Sequence, residues 1–124
     1  MAQKITFLLI IFSFLTCGSQ HERQQYQETG MASFYNDKFE GKKTASGEKY
    51  KASKFTAAHK SLKFNTLIKV TNLKNKKTVI VRVNDRGPFK KNRIVDVSKA
   101  AARKLNMEQD GIVNVKIEVV EKRK

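Results

Sequence analysis

The sequence has few of the residues that build disulfides, metal sites or membrane-spanning helices. Its 124 residues include a single cysteine, Cys17, and two histidines. One cysteine cannot form an internal disulfide, and no Cys/His cluster has the spacing of metal ligands. The longest apolar run covers residues 5–15, whereas a helix that spans a bilayer needs about 20 apolar residues. We therefore expect no metal, no other cofactor and no permanent transmembrane helix.

Acidic residues are also scarce. Lys and Arg total 26 whereas Asp and Glu total 11, which gives a net charge of +15. In an intracellular protein such a balance would suggest nucleic acid as the partner. The sequence has no zinc-finger spacing, no aromatic-rich RNA motif and no basic helix, so we expect no nucleic-acid partner. The charge either forms a solvated cationic surface or attracts anionic components of the cell envelope, through interactions that salt weakens.

The first residues are typical of an export signal. Lys4 precedes the apolar run and small residues around Cys17 follow it, which is the order found in secretory signal peptides. We predict a signal peptide at residues 1–16 and lipidation of Cys17. Cleavage after Gly18 is the alternative, and it would remove Cys17. A lipid on Cys17 would hold the protein to a membrane without spanning it, at the periplasmic face of a bacterial cell envelope.

The rest of the chain divides into a polar tether at residues 17–29 and a folded domain at residues 30–121, which we expect to be monomeric. Within the domain, residues 36–54 have no sustained hydrophobic period and predict a long loop. Long loops in compact domains are usually functional or disordered. This loop contains Thr44-Ala45-Ser46-Gly47-Glu48, a set of small and polar residues suited to lining a groove.

The stretch Val79–Phe89 gives the strongest indication of both a strand and a candidate functional residue. Valine occupies every second position from Val79 to Val83, which predicts a half-buried strand. Continued alternation would place Asp85 on the valine face at the strand end, where Gly87-Pro88 then stops the strand. A carboxylate in this position is a candidate for catalysis. The alternative is a turn aspartate that only accepts hydrogen bonds from its own backbone.

Similar short apolar segments predict the other strands. They are Gly30–Tyr35, Phe55–His59, Leu67–Leu73, Arg93–Val97 and Ile112–Val120. A hairpin turn with a positive φ at Asn75 is expected before Val79. Ser98 is expected to cap a short helix that starts at Lys99, and Asn106 to end it in a left-handed conformation. Six short strands and one short helix predict a mainly β domain. A closed barrel is favoured over a sandwich because closure leaves no exposed sheet edge.

Six segments of the sequence are similar to motifs of a known protein family, and they follow one another in the same order. They are Gly30–Tyr35, Thr44–Glu48, Thr56–Lys60, Val70–Leu73, Val83–Phe89 and Asp96–Ala102. Together they resemble the rare lipoprotein A (RlpA) family over about residues 30–120. The resemblance implies a double-psi β-barrel, related in fold to expansins and to a second group of lytic transglycosylases. It also implies peptidoglycan as the substrate, because members act as lytic transglycosylases that favour glycan strands without stem peptides.

The resemblance further implies which residues are functional. The family's two motif acids and its histidine fall on Asp85, Glu48 and His59, with Asp85 as the general acid/base and the other two assisting. The residues expected to bind substrate are Tyr35, Thr44, Ser46, Asn84, Arg86 and Phe89. We expect Arg86 either to point away from Asp85 or to pair with Asp96.

A single decisive carboxyl group fits the implied reaction. Hydrolysis of a glycosidic bond normally needs two carboxyl groups. A lytic transglycosylase instead uses the C6 hydroxyl of the sugar as the nucleophile, and it leaves a 1,6-anhydro end where MurNAc was joined to GlcNAc. One acid can protonate the leaving oxygen and later accept the hydroxyl proton, while the intramolecular attack gains from proximity.

Two other functions remain open at this point. Expansins share the fold and a similar acid, so the domain could be a non-catalytic module that binds peptidoglycan or loosens the wall. It could also be a small envelope protein that docks on acidic partners through its charge. Single assignments are open as well. Glu48 could simply pair with a lysine, and His59 could only position its loop, while Tyr35 and Phe89 could belong to the core.

Overall fold

The computed structural model describes residues 25–120, in which six strands form a closed barrel. The predicted signal peptide at 1–16, Cys17 and most of the predicted tether lie outside the described residues. The strands are β1 (Gln27–Phe34), β2 (Thr56–His59), β3 (Leu67–Asn72), β4 (Thr78–Asp85), β5 (Arg93–Val97) and β6 (Val113–Val119). One helix, α1 (Lys99–Lys104), and one turn of 3₁₀ helix at Asp37–Phe39 complete the fold.

The strands follow one another around the barrel in the order β1-β5-β2-β4-β3-β6, and β6 closes back onto β1. The pairs β1–β5 and β2–β4 are parallel, and the other four pairs are antiparallel. The prediction of a mainly β, six-stranded closed barrel with one short helix is confirmed. None of the helices within residues 25–120 combines the length and apolarity needed to cross a membrane.

Alternating side chains fill the barrel interior, as the valine pattern predicted. In β4, Val83 is completely buried whereas Ile80 is 51% exposed. Other strands contribute further completely buried side chains to the interior, among them Ile68, Val70, Val95, Val97, Val115 and Ile117. Burial of one such side chain contributes about 1.5–3 kcal/mol. A slip of one residue would expose a whole row of them, so the register of each strand is strongly specified.

The short helix forms where its cap residues predicted it. The Ser98 hydroxyl accepts the backbone N–H of Ala101 at 3.4 Å, and Ala101 and Ala102 are completely buried. Asn106 follows the helix with a φ of 51°, the left-handed conformation expected of it. The helix therefore closes against the barrel through its alanine face.

The first strand begins earlier than predicted. Residues Gln27 to Thr29 are part of β1 and pair with Glu118 to Lys116 of β6, so the boundary of the folded domain at residue 30 was placed too late. Gln27 and Thr29 are exposed on the outer face of the barrel. Their polarity made this part of the strand resemble a linker.

The turn between β3 and β4 also differs from its prediction. The positive φ falls on Lys76, at 64°, and not on Asn75. The side chain of Asn75 has another use: its amide donates to the carbonyl of Leu105 at 3.0 Å and its oxygen accepts the N–H of Lys77 at 2.9 Å. Asn75 therefore ties the turn to the end of α1.

A bulge interrupts β4 just before Asp85. Ala57 of β2 pairs with Val83, but the next residue, Ala58, pairs with Asp85, so Asn84 is an extra residue in its strand. Asn84 is only 3% exposed whereas Asp85 is partly exposed, so the alternation of the valines does not continue to Asp85 as predicted. Bulges re-aim side chains and are common beside active sites. Here the bulge turns Asp85 to the rim of the barrel.

Candidate active site

An open groove of about 520 Å³ lies at the rim, across the neighbouring strands β1, β5, β2 and β4. Its walls come from the end of β1, the 3₁₀ turn, the segment after β4, and β5. The lining residues used below are Tyr35, Phe39, Asp85, Arg86, Phe89, Arg93 and Asp96. Asp85 is therefore accessible from an open cleft of a size that suits a sugar.

Three neutral groups donate hydrogen bonds to the carboxyl group of Asp85. The Tyr35 hydroxyl donates to Oδ2 at 2.5 Å, and the backbone N–H groups of Ala45 and Arg86 donate to Oδ1 at 2.8 and 2.9 Å. None of the ion pairs formed within residues 25–120 includes Asp85. The group is thus fixed in place without a cationic partner.

Tyr35 is held so that its hydroxyl faces Asp85. Its ring stacks on Tyr50, with centroids 4.4 Å apart, and meets the edge of Phe39 at 5.9 Å. Burial, followed by the hydrogen bond to Asp85, raises the pKa of Tyr35 well above its ordinary value. The hydroxyl therefore stays protonated as a donor. Because Tyr50 covers one ring face, Tyr35 has less ring surface free for a sugar than the predicted substrate-binding role assumed.

Glu48 is held by a guanidinium group. Arg82 donates to both carboxylate oxygens of Glu48 at 2.7 Å, and the Asn84 side chain donates at 3.4 Å. The hydrogen bonds from Arg82 are the main cause that lowers the pKa of Glu48 to about 2. Glu48 is consequently a carboxylate at neutral pH, and it has no proton to donate.

The loop that carries Glu48 closes onto the end of β4. The Thr44 hydroxyl donates to the carbonyl of Glu48 at 2.8 Å and lies 2.9 Å from the Ser46 hydroxyl. The N–H of Ser46 donates to the carbonyl of Asn84 at 3.3 Å. This closure brings the N–H of Ala45 to Asp85. Thr44 and Ser46 thus shape the turn that supports Asp85, and their binding of substrate stays a prediction.

The side chain of His59 does not reach the groove. It is 2% exposed, and its Nδ1 accepts the backbone N–H groups of Ser61 and Leu62 at 3.1 and 3.0 Å. Its Nε2 lies 3.1 Å from a carboxylate oxygen of Glu28. The structure links Asp85 with the Glu48 loop, but it does not bring the imidazole of His59 to either acid.

The guanidinium of Arg86 turns away from Asp85 and lies over the ring of Phe64, 4.1 Å from its centroid. It donates to the carbonyls of Leu62 and His59 at 2.7 and 3.3 Å. The alternative expectation, an ion pair between Arg86 and Asp96, is wrong. Asp96 pairs instead with Arg93, at 3.1 Å. Residues three apart normally face opposite sides of a strand, but β5 has a register shift here: Met31 pairs with Arg93 and Ala32 with Val95, so Ile94 is an extra residue that lets the two side chains meet.

Asp96, expected only as a possible partner of Arg86, adds a second acidic group to the groove. Its Oδ1 accepts the Ser33 hydroxyl at 2.5 Å, and Arg93 also donates to Ser33.

The same groove contains two exposed aromatic rings, Phe89 at 83% and Phe39 at 39% exposure. Exposed aromatic faces in a groove with polar groups favour sugar binding.

A protein-family model described as lytic transglycolase matches residues 27–117. The chain belongs to this family. Its relatives include proteins named endolytic peptidoglycan transglycosylase RlpA. Those from Neisseria meningitidis serogroup A and Pasteurella multocida are 55% identical over 96 residues and 50% identical over 100 residues. These matches cover 77% and 81% of this chain but only 40% and 34% of the relatives, so this chain spans well under half of their length.

Solved structures similar to this chain support the double-psi barrel fold. A Streptomyces papain inhibitor superposes with a TM-score of 0.63 at 23% identity, and covers 77% of this chain and 96% of its own. An expansin from Clavibacter michiganensis superposes with a TM-score of 0.61 at 20% identity, over 80% of this chain and 52% of its own. At these identities the likeness concerns the fold alone.

Sequence reasoning missed the observed positions of three residues in or near the candidate site: Arg82, Asp96 and Glu28. Arg82 lies on the outward side of β4. A basic residue at this position could have been predicted to pair with Glu48, an acidic residue of the long loop. Asp96 stands in a motif that the family resemblance already contained. Glu28, in contrast, had no signal, because it lies in the polar segment that resembled a linker. No group of three or more His, Cys, Asp or Glu side chains within residues 25–120 is placed to hold a metal ion.

Proposed function

We propose that the protein is a lytic transglycosylase that cleaves peptidoglycan glycan strands, with Asp85 as its general acid/base. The observation that carries the proposal is the setting of Asp85 in an open groove, fixed by three neutral donors. Membership of the lytic transglycolase family and the names of the relatives supply the reaction and the substrate class.

The two oxygens of Asp85 differ in a way that assigns the proton. Oδ1 accepts two backbone N–H groups, which cannot turn away. Oδ2 has only the hydroxyl of Tyr35, which can rotate and accept a hydrogen bond instead. Oδ2 is therefore the oxygen that carries the proton when Asp85 acts as an acid.

The reaction then proceeds on a single carboxyl group. Oδ2 gives its proton to the glycosidic oxygen as the bond from that oxygen to the MurNAc anomeric carbon breaks. The C6 hydroxyl of the same sugar forms a bond to that carbon, and its proton passes to Asp85, which restores the acid. No water is consumed, and the product carries a 1,6-anhydro ring. General acid/base catalysis of this kind contributes about 10²–10⁴-fold.

The other two acids at the site support this one-carboxyl scheme. Arg82 holds Glu48 by two hydrogen bonds, and Arg93 holds Asp96. Neither is thereby suited to act as the second catalytic group that hydrolysis needs. In this proposal Glu48 organises the loop that donates to Asp85, and Phe89 offers its exposed ring to the glycan.

The test is digestion of purified glycan strands, with and without stem peptides, by the protein. Mass spectrometry should find 1,6-anhydro-MurNAc ends, with more product from strands without stem peptides. We expect Asp85→Asn to lower the rate by about 10²–10⁴-fold. Asp110→Asn is the matched control, because Asp110 pairs with Lys74 on the surface and does not line the groove. Glycan binding without new chain ends, unchanged in Asp85→Asn, would instead establish the non-catalytic, expansin-like alternative.

We also propose that the protein works in the cell envelope as a monomer, held to a membrane by a lipid on Cys17. The order of Lys4, the apolar run and the small residues around Cys17 supports this placement. Radiolabelled palmitate should label the protein and should not label the Cys17→Ala variant. Equal recovery of label from both proteins would refute lipidation at this residue.

A further inference from the structure

A cluster of polar residues lies outside the groove and has no part in the proposed chemistry. It joins the start of β1 to the end of β2 through Tyr26, Glu28 and His59. We propose that Glu28 is a positioning residue, which fixes the tautomer of His59 and thereby holds the loop that anchors Arg86 beside Asp85. The inference rests on the proposed function for its effect on catalysis, but its structural steps can be measured separately.

The first step concerns the proton on the imidazole. Nδ1 of His59 accepts two backbone N–H groups, from Ser61 and Leu62, so it carries no proton. The ring proton is therefore on Nε2, which donates to Oε2 of Glu28 at 3.1 Å. An acceptor at this place selects the one tautomer that leaves Nδ1 free to cap the loop.

Tyr26 fixes Glu28 in turn. Its hydroxyl donates to the same oxygen, Oε2, at 2.7 Å, and its ring meets the edge of the His59 ring at a centroid distance of 6.1 Å. Burial, together with the bond to Glu28, raises the pKa of Tyr26 to about 12. Tyr26 is thus a donor at neutral pH, and Oε2 of Glu28 is the oxygen that faces both side chains.

The second step runs from the loop to the groove. The carbonyl of Leu62 accepts Nη1 of Arg86 at 2.7 Å, and the carbonyl of His59 accepts it at 3.3 Å. The backbone N–H of the same arginine donates to Oδ1 of Asp85 at 2.9 Å. The chain of contacts from Glu28 therefore ends on the residue that forms one of the three hydrogen bonds to the proposed acid.

The burial of His59 distinguishes the proposed positioning role from a direct catalytic role. His59 is 2% exposed and lines no part of the groove, so its ring does not touch a substrate there. Glu28 acts through His59, and what it supplies is an acceptor oxygen and not a charge. Gln at position 28 retains such an oxygen and Leu does not, which gives a matched pair of variants.

The first experiment compares Glu28→Gln with Glu28→Leu. Nitrogen-15 spectra of the imidazole report the tautomer, and hydrogen exchange reports the Ser61 and Leu62 amides. We expect Glu28→Gln to keep the Nε2–H tautomer. Glu28→Leu should shift the ring toward Nδ1–H, speed exchange of both amides by about tenfold or more, and lower kcat by about 10–100-fold with little change in KM. An unchanged tautomer in Glu28→Leu overturns the proposal, whatever the activity.

The second experiment replaces the imidazole and does not depend on the folding of the Leu variant. The Asn side-chain oxygen lies close to the place of Nδ1, so His59→Asn can still accept the two amides. Gln places its oxygen near Nε2, so His59→Gln cannot. We expect His59→Asn to retain at least about tenfold more activity than His59→Gln, because misplacement of a catalytic group by about 1 Å can cost 10²-fold. Equal loss in both variants overturns the positioning role and favours a direct role of the imidazole.

The two proposals can fail separately. If the wild-type protein forms no anhydro ends, the transglycosylase proposal fails, and the tautomer and exchange measurements still decide whether Glu28 positions the loop. If the protein is active and Glu28→Leu keeps both its tautomer and its kcat, only the positioning proposal fails.

Discussion

The loop that contains Glu48 also contacts Asp85, but the two carboxylates accept hydrogen bonds from different kinds of donor. Asp85 accepts one phenolic and two backbone donors, all of them neutral. Glu48 accepts both arms of the Arg82 guanidinium, which lowers its pKa to about 2. Glu48, paired with arginine, stays charged at neutral pH, whereas Asp85 has no cationic partner within residues 25–120. This difference is the reason the proposed function uses Asp85, and not Glu48, as the acid/base.

The largest effect should distinguish the two acids directly. Asp85→Asn removes the proton carrier and is expected to lower the rate of anhydro-end formation by about 10²–10⁴-fold. Glu48→Gln keeps the size of the side chain and one acceptor oxygen, so the loop should remain and the loss should stay within about tenfold. The measurement is kcat on glycan strands for both variants. Equal losses would show that the two acids do not differ in role.

A smaller effect should come from the donor to Asp85. Tyr35→Phe keeps the stack on Tyr50 and removes the hydroxyl that donates to Oδ2. We expect kcat to fall by about 10–100-fold, because Asp85 would lose one of its three hydrogen bonds. Tyr50→Phe is the control, since it keeps the same stacked rings and removes a hydroxyl that contacts the N–H of Lys99. A larger loss in the control than in Tyr35→Phe would contradict the positioning of Asp85 by Tyr35.

The smallest effect concerns stability in acid. The pKa of Glu48 lies at about 2 in the folded protein, below its ordinary value of 4.5. A depressed carboxylate pKa stabilises the folded state above the ordinary value, and this contribution is lost as pH falls from about 4.5 to about 2.

The difference in unfolding free energy between wild type and Glu48→Gln should therefore shrink over that window. Because 43% of the Glu48 side chain is exposed, solvent screening limits the effect to about 1 kcal/mol or less. Chemical denaturation at several pH values measures it. A difference that stays constant from pH 4.5 to pH 2 would contradict the role of Arg82.

The sequence predicted the parts of the fold that local pattern decides. The valine alternation of β4 and the cap at Ser98 follow from spacing and from the chemistry of one or two residues. The end of β4 at Asp85 was predictable for the same reason. These features depend on neighbours in the chain, so a single sequence contains the information.

The parts that failed depend on residues far apart in the chain. The Arg93–Asp96 pair is local, but its place in the groove is set by β1, whose Ser33 pairs with Asp96. The partner of the His59 imidazole is Glu28, 31 residues earlier, in a segment too polar to resemble a strand. The sequence alone does not indicate the bulge at Asn84, because an extra residue in a strand is recognised only from its pairing with the neighbouring strand.

That bulge has a consequence for how this domain can change over time. Because of Asn84, β4 has one residue more than β2 at this point. The side of the strand to which Asp85 points depends on this extra residue. Loss or gain of a single residue in the second half of β4 would turn the acid to the other side of the strand, even with every other side chain retained. Residues 36–54, which lie in a long surface segment, are under no such constraint away from Phe39, residues 44–48 and Tyr50. We therefore expect related chains to vary in length within that segment and to keep the length of β4 fixed.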